Sequence, residues 1–292
     1  LSAGVPPDNV FEFLRVAQKG AVGGVTDLLT SVDGLTTVVN AFREQDLEAA
    51  DAADVFFTTV KAGKTTFAEL SRSMFNVAPQ AADVGLKFTE VAAALATLTT
   101  QGTPTKVAST YIRGALNELS KEGTDAALTF ERLSGKSFRD FVAGGGTLQE
   151  ALGMLADEAD RNGKSIKDMF GSVEAGSAAV VLAGTGAQTF SQILAQMEGR
   201  AGAADTAYGQ MAQGLVHQTN LAKAALTVSM LEVGNMLALV IAPAMQKLAE
   251  LAQQLATWFM SLSDEQQQAT LKIAGFVVAG LGLAKVVTIV AN

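Results

Sequence analysis

The segment Asp51-Ala52-Ala53-Asp54-Val55-Phe56-Phe57-Thr58-Thr59-Val60 carries the helical period in its plainest form. Ala52, Val55, Phe56 and Thr59/Val60 share one face, opposite Asp51 and Asp54, as in an amphipathic helix with one side on a core. Just beyond it, Thr66 followed by Glu69 reads as a capping box, in which a hydroxyl and a carboxylate satisfy each other's backbone donors. The same punctuation recurs at Thr147/Glu150 and Ser263/Gln266, and in weaker form at Ser137/Asp140 and Ser165/Asp168. Working outward, the pattern predicts helices over about 8–18, 26–43, 47–62, 66–76, 79–85, 88–101, 104–121, 124–134, 137–143, 147–162, 165–170, 172–183 and 186–198.

Composition agrees with an all-α chain. Of 292 residues 28 are Gly and only 5 are Pro, and 49% are hydrophobic although only 6% are aromatic. The apolar content is largely Ala, the best helix former. No alternating run is long enough to predict a strand. With 29 acidic and 21 basic residues the formal charge is −8, against the basic stripe that a phosphate-tracking nucleic-acid binder requires, so no sequence-specific nucleic-acid binding is expected. The absence of Cys excludes disulfides, thiolate metal sites and thiol nucleophiles. A single histidine, His217, excludes two-histidine zinc signatures. The chain begins at Leu1 with no basic segment leading into an apolar one. No signal peptide is therefore expected, and the chain is expected to be a processed product or a piece of something longer.

Charge density divides the chain. About one residue in five is charged up to residue 205, whereas from Thr206 only Lys223, Glu232, Lys247, Glu250, Asp264, Glu265, Lys272 and Lys285 remain. The expected organisation is a multi-helix compact domain over 1–203, a long Pro-interrupted helix over 204–262, and an apolar C-terminal helix over 263–292. Within the long helix, Leu237, Ile241, Ala244, Leu248, Leu251, Leu255, Trp258 and Leu262 follow the spacing of a heptad seam. Leu239, Val240, Met245 and Phe259 widen it, favouring three or more helices in contact. Unbroken, such a helix would run roughly 80–90 Å; Pro243 removes a backbone donor and should kink it. Glu232 and Asn235 interrupt the apolar run and read either as polar residues that fix register and oligomer number or as plain exposed positions.

The last segment has two readings. Ile273, Phe276, Val277, Val278, Leu281, Leu283, Val286, Val287, Ile289 and Val290 form either a bundle helix or a membrane segment. The charge-free stretch Ile273–Ala284 is shorter than a usual span, although Lys285 could snorkel near an interface. Gly275, Gly280 and Gly282 permit close helix approach without forming GxxxG.

Chemical motifs fail on context. Gly63-Lys64-Thr65, Gly135-Lys136-Ser137 and Gly163-Lys164-Ser165 resemble the end of a phosphate loop, but Thr58, Phe130 and Glu158 stand where its first Gly belongs. A helix stop explains all three: Gly in the left-handed conformation, Lys at the last carbonyls, and Ser or Thr capping the next helix. Gly184-Thr185-Gly186 and Gly144-Gly145-Gly146 read as turns. The carboxylate clusters Glu48/Asp51/Asp54 and Asp157/Glu158/Asp160 read as solvated faces, and His217 as a polar surface or interface residue. No catalytic residue, cofactor or metal site is expected.

The order of segments resembles the core region of phage tail tape measure proteins, a minor tail protein family. Gly24-Val25-Thr26-Asp27-Leu28, Val38-Val39-Asn40-Ala41-Phe42, Ala49 to Val55, and Phe75-Asn76-Val77-Ala78-Pro79 carry it. Gly85 to Leu95, Ile112-Arg113-Gly114-Ala115-Leu116, Phe170-Gly171 with Ala175-Gly176, and the closing Ile241-Ala242-Pro243 continue it, over about residues 20–270. Ser109-Thr110-Tyr111 departs from the small apolar residues the family often has there. The resemblance implies a structural virion component in the lumen of the tail tube, with roles in tail assembly, tail length and genome delivery; the many short capped helices make this segment a poor ruler, and its expected place is near the tail tip. The resemblance also implies a homo-oligomer, commonly a trimer, with tail tube proteins, tip or baseplate hub proteins, tail assembly chaperones and a host membrane as partners. A membrane-active helical pore former and a generic helical scaffold are the competing classes.

Overall fold

Hydroxyl or carboxylate side chains cap the helix starts at Asp27, Thr66, Thr124, Ser137, Thr147 and Ser172 in the computed structural model, which describes residues 9–214, 219–225, 227–228, 247 and 249–268. Two compact units follow along the chain, Leu1–Gln218 and Thr219–Asn292. In the first, α1 spans Val10–Gly23, α2 Leu28–Ala41, α3 Ala49–Ala62, and α4 Phe67–Ser73 with a 3-10 turn at Met74–Asn76. Then come α5 (Ala78–Asp83), α6 (Phe88–Thr100), α7 (Thr105–Ser120), α8 (Asp125–Ser134), α9 (Phe138–Ala143) and α10 (Leu148–Arg161). A 3-10 turn at Ile166–Met169 leads to α11 (Val173–Val180), a π-type turn at Val181–Thr185, α12 (Ala187–Glu198) and α13 (Ala203–Ala212). No strand occurs among the described residues, so the all-α expectation holds.

Two of the three full capping boxes expected, at Thr66 and Thr147, form with both bonds. The Thr66 hydroxyl accepts from Glu69 N at 3.1 Å while Thr66 N donates to the Glu69 carboxylate at 3.1 Å. Thr147 and Glu150 repeat the pair at 3.1 and 2.9 Å. Ser137 accepts from Asp140 N at 3.1 Å. At Ser165 the backbone N–H donates to Asp168 at 3.2 Å.

α6 is the centre of this unit. Eleven of its 13 residues are buried, and α3, α5, α7 and α12 pack around it. A helix that is apolar on every side belongs inside a fold, and Ala92, Ala93, Ala94 and Ala96 keep this one thin. Its threonines do not need outside partners: Thr97 donates to Ala93 O at 2.8 Å and Thr99 to Ala96 O at 2.9 Å. Phenylalanines fill the remaining volume in two groups. Phe88 lies 5.4 Å from Phe42 and 5.8 Å from Phe56, while Phe130 meets Phe138 and Phe141 at 5.8 and 5.2 Å.

Three expectations change. α1 does not stop near residue 18 but runs to Gly23. Gly20, within the added turn, is a packing position, where a Cβ would sit 2.5 Å from the Ser31 hydroxyl. The long helix does not begin at Ala204. α13 is a separate helix that packs on α1 and α3 and ends at Ala212, and the division between units falls after Gln218 rather than after residue 203. The third concerns Gly63, whose φ is −107°, not left-handed. It is needed because a Cβ there would stand 2.7 Å from Thr99 Oγ1 and 2.9 Å from Ala96 Cα on α6. Gly135 and Gly163 do take φ of +72° and +62° as expected.

In the second unit, residues 219–225, 227–228, 247 and 249–260 are helical, and a further helical stretch, 264–268, follows the turn at Ser261–Ser263. The Ser263 start shows Ser263 N donating to Gln266 Oε1 at 3.2 Å. Pro243 and its expected kink lie outside the described residues.

The α2–α4 crossing tests this close-packed design. A Cβ on Gly34 would lie 2.3 Å from Ser71 Oγ and 2.7 Å from Ser71 Cα. In an open helix Gly→Ala stabilises by about 0.5–1 kcal/mol; here Gly34→Ala is expected to destabilise by about 1–3 kcal/mol through overpacking. Urea unfolding checks the sign.

Candidate functional site

Carboxylates that reach across the first unit to the starts of distant helices form its main polar constellation. Glu118, on α7, accepts from Gly171 N at 2.6 Å and from Ser172 N and Oγ at 2.9 and 2.6 Å. Ser172 is the N-cap of α11 and itself accepts from Ala175 N at 3.3 Å. Asp54, on α3, accepts from Gly202 N at 2.9 Å and Ala204 N at 2.8 Å at the start of α13. Glu90, on α6, accepts from Leu148 N at 2.8 Å at the start of α10. Helix starts carry unpaired N–H groups and positive partial charge, so each contact joins a charge-assisted hydrogen bond to a favourable dipole.

Asp54 therefore corrects a sequence reading. It belongs to a cluster expected to be a solvated face, yet it caps a helix about 150 residues further on. Glu158, in the second such cluster, is likewise engaged: Arg132 pairs with it at 2.7 Å and Arg161 at 3.2 Å. The Arg132 hydrogen bond first, and Asn162 second, hold its carboxyl below the usual range. Glu90 behaves in the opposite way. Burial pushes its carboxyl up, and the bond from Leu148 and the nearby Lys87 offset only part of that rise. It lines a cleft of about 620 Å³ with Phe88, Leu194, Met197, Lys87 and Arg200 among its walls.

Of the Gly-Lys-Ser/Thr sites, Gly63-Lys64-Thr65 serves packing, whereas Gly135 and Gly163 are left-handed stops followed by the caps Ser137 and Ser165. Lys64 N donates to Thr99 Oγ1 at 3.1 Å, and Thr65 Oγ1 lies 2.7 Å from Thr105 Oγ1. The cap of α4 is Thr66, not Thr65 as the tripeptide reading expects. At Gly184-Thr185-Gly186 the chain bends by 84° between Val173–Thr185 and Ala187–Glu198. A Cβ on Gly186 would lie 2.8 Å from Thr97 Cγ2 on α6. No single helix among the described residues is long and apolar enough to cross a membrane; this bent pair passes by composition, but Ala178, Ala179, Leu182, Phe190 and Ile193 from it are buried in the core. Among the described residues no group of three or more His, Asp or Glu could hold a metal ion.

Of the seam residues, Leu251, Leu255 and Trp258 lie at four- and three-residue spacing within helical residues 249–260 and are 56, 63 and 52% exposed. Leu262 stands in the turn after that helix and is half-buried, which takes it out of the helical repeat. Leu237, Ile241, Ala244 and Leu248 lie outside the described residues, as do Glu232, Asn235 and His217. The same holds for Ile273, Phe276, Val277, Val278, Leu281, Leu283, Val286, Val287, Ile289 and Val290. The three long-range carboxylates were missed because a single Asp or Glu on a helix face carries no mark of its partner. Only the Phe170-Gly171 element, whose start Glu118 caps, drew attention to one of these places.

The comparisons with known proteins fit this picture. The profile of the family described as phage-related minor tail protein matches residues 1–171. The chain is 31% identical over 233 residues, 76% of its length, to a probable tape measure protein of Clostridium phage phiCD119. It is 27% identical over 155 residues, 53% of its length, to a tape measure protein of Pneumococcus phage Dp-1. The matched regions are 25% and 13% of those two proteins, so the chain spans a minor part of the relatives it resembles. No solved structure matches it significantly.

Glu90 gives a pH test. A carboxyl whose pKa is higher folded than unfolded penalises the native state when ionised, fully above the folded value and less as the pH falls through it. Glu90→Gln keeps an acceptor for Leu148 and removes that charge. It is expected to raise the urea midpoint near about pH 8, with the gain shrinking towards about pH 4; a gain independent of pH would contradict the assignment. Glu118→Ala leaves the Gly171 and Ser172 donors unpaired and is expected to cost about 1–3 kcal/mol at neutral pH.

Proposed function

The chain belongs to the phage-related minor tail protein family, and from that premise we propose that it is part of a tail tape measure protein, a structural component of the virion tail. The observation that carries this reading is the family match over residues 1–171 joined to 31% identity with a tape measure protein over 76% of the chain. On this reading the chain lies in the tail tube lumen near the tip, where the whole protein takes part in tail assembly, length determination and genome delivery through the host envelope. Its own share is not that of a ruler. A ruler needs length per residue, roughly 1.5 Å in a continuous helix, and the first unit instead folds thirteen helices into one core.

Docking is the task this unit suits: its surface would meet tail tube proteins, tip or hub proteins, and tail assembly chaperones during construction. The second unit supplies self-association. Leu251, Leu255 and Trp258 are more than half exposed in a single copy, and large apolar side chains at heptad spacing gain by packing against the same positions of other copies. The proposed seam is Leu237, Ile241, Ala244, Leu248, Leu251, Leu255 and Trp258, ending before the turn that holds Leu262, with Glu232 and Asn235 setting its register and a trimer as its product. Residues 263–292 would engage the host membrane after release.

Light scattering on the 292-residue chain is expected to give three times the monomer mass, falling to the monomer in Leu255→Asp; a monomeric wild-type chain would remove the seam. Liposome flotation with and without residues 263–292 separately checks the membrane segment, and equal flotation of the two forms would remove it.

A further inference from the structure

α13 is held differently from the helices before it. Only Ala204 of its ten residues is buried, whereas α12 buries Phe190, Ile193 and Met197. Half-buried Ala203 and Ala207 join Ala204 against the core, along α1 and α3, and no larger apolar side chain of α13 is buried; polar contacts hold its start. Asp54 accepts from Gly202 N and Ala204 N, and Lys19 pairs with Asp205. Further along, its backbone runs against α1, so that a Cβ on Gly23 would stand 3.0 Å from Tyr208 N and 3.1 Å from Ala207 C. The turn leading into it ends at Gly202, with φ of +80°.

This balance has a thermodynamic consequence. Burial of apolar surface is what ties the opening of an element to global unfolding, and elements with little of it open separately at lower free energy. α13 is also the last helix among the described residues of its unit, so no described segment of that unit has to pass through the core when it leaves. We propose that α13 is a detachable strap, which opens as one piece while α1 to α12 stay folded. Its opening frees residues 200–214, adding up to roughly 50 Å of extended chain at the C-terminal end of the compact unit. Asp54 is the latch, and Gly23 is the seat that lets the strap lie flat. The inference rests on contacts inside the first unit and does not depend on the tail reading.

Native-state hydrogen exchange on the 292-residue chain tests it. In the wild-type protein the amides of 205–212 are expected to exchange at least about tenfold faster than those of Val91–Leu98 on α6, equivalent to about 1.4 kcal/mol. Asp54→Ala removes the latch, and Gly23→Ala lifts the seat without touching any charge. Each is expected to speed exchange in 205–212 by a further tenfold or so while leaving Val91–Leu98 unchanged. Equal protection of α13 and α6 in the wild-type chain would overturn the proposal, with no variant needed. So would variants that lower protection by the same factor throughout the unit.

Discussion

Burying a helix on every side constrains the whole first unit. α6 presents alanines where most core helices present leucine, so its neighbours must come closer than ordinary side chains allow if no void is to remain. The chain meets that demand with backbone. At Gly63 and Gly186 the connecting segments lie directly on α6, in places where even one methyl group would collide with Thr99, Ala96 or Thr97. Larger volume is supplied by phenylalanines set further out, with Phe42, Phe56 and Phe88 gathered on one side and Phe130, Phe138 and Phe141 on another.

Close packing of many short helices creates a second requirement. Every helix has a start with unpaired donors, and short helices multiply these starts within a limited volume. Exposed starts are served locally, as at Thr66 with Glu69 and Thr147 with Glu150. Where a start faces another helix, a carboxylate from that helix serves it: Asp54 for α13, Glu90 for α10 and Glu118 for α11. α10 shows both devices at once, with its own capping box and Glu90 at its first N–H. The departure at Ser109 follows the same economy, since its hydroxyl donates to Lys106 O at 2.8 Å and accepts from Asn76 at 3.3 Å. A small polar residue thus replaces a small apolar one without leaving an unpaired group.

The functional reading depends on a division of labour between the two units. The first packs its helices on one hydrophobic core and is the unit to which docking is assigned. Among its described residues the second exposes Leu251, Leu255 and Trp258, the positions on which the proposed self-association rests. The two units differ in charge, since the second has only eight of the chain's fifty charged side chains.

Helix identity and helix starts were legible from residue order alone, because the period of apolar positions and the hydroxyl–carboxylate spacing of a cap are local properties. Thr147 and Glu150 need only each other. The all-α class, the family resemblance and the exclusion of thiol and two-histidine zinc chemistry rest on the same local or compositional ground. Gly63 was misjudged because a glycine that ends a helix and one that admits a neighbour look identical in sequence. Asp54 was misjudged because its partners at Gly202 and Ala204 lie about 150 positions away. The end of the first unit shifted for the same reason: only packing against α1 and α3 assigns α13 to it. What tertiary structure alone decided is which distant backbone each small or acidic residue meets, since that depends on the folded path of the chain and not on the residues beside it.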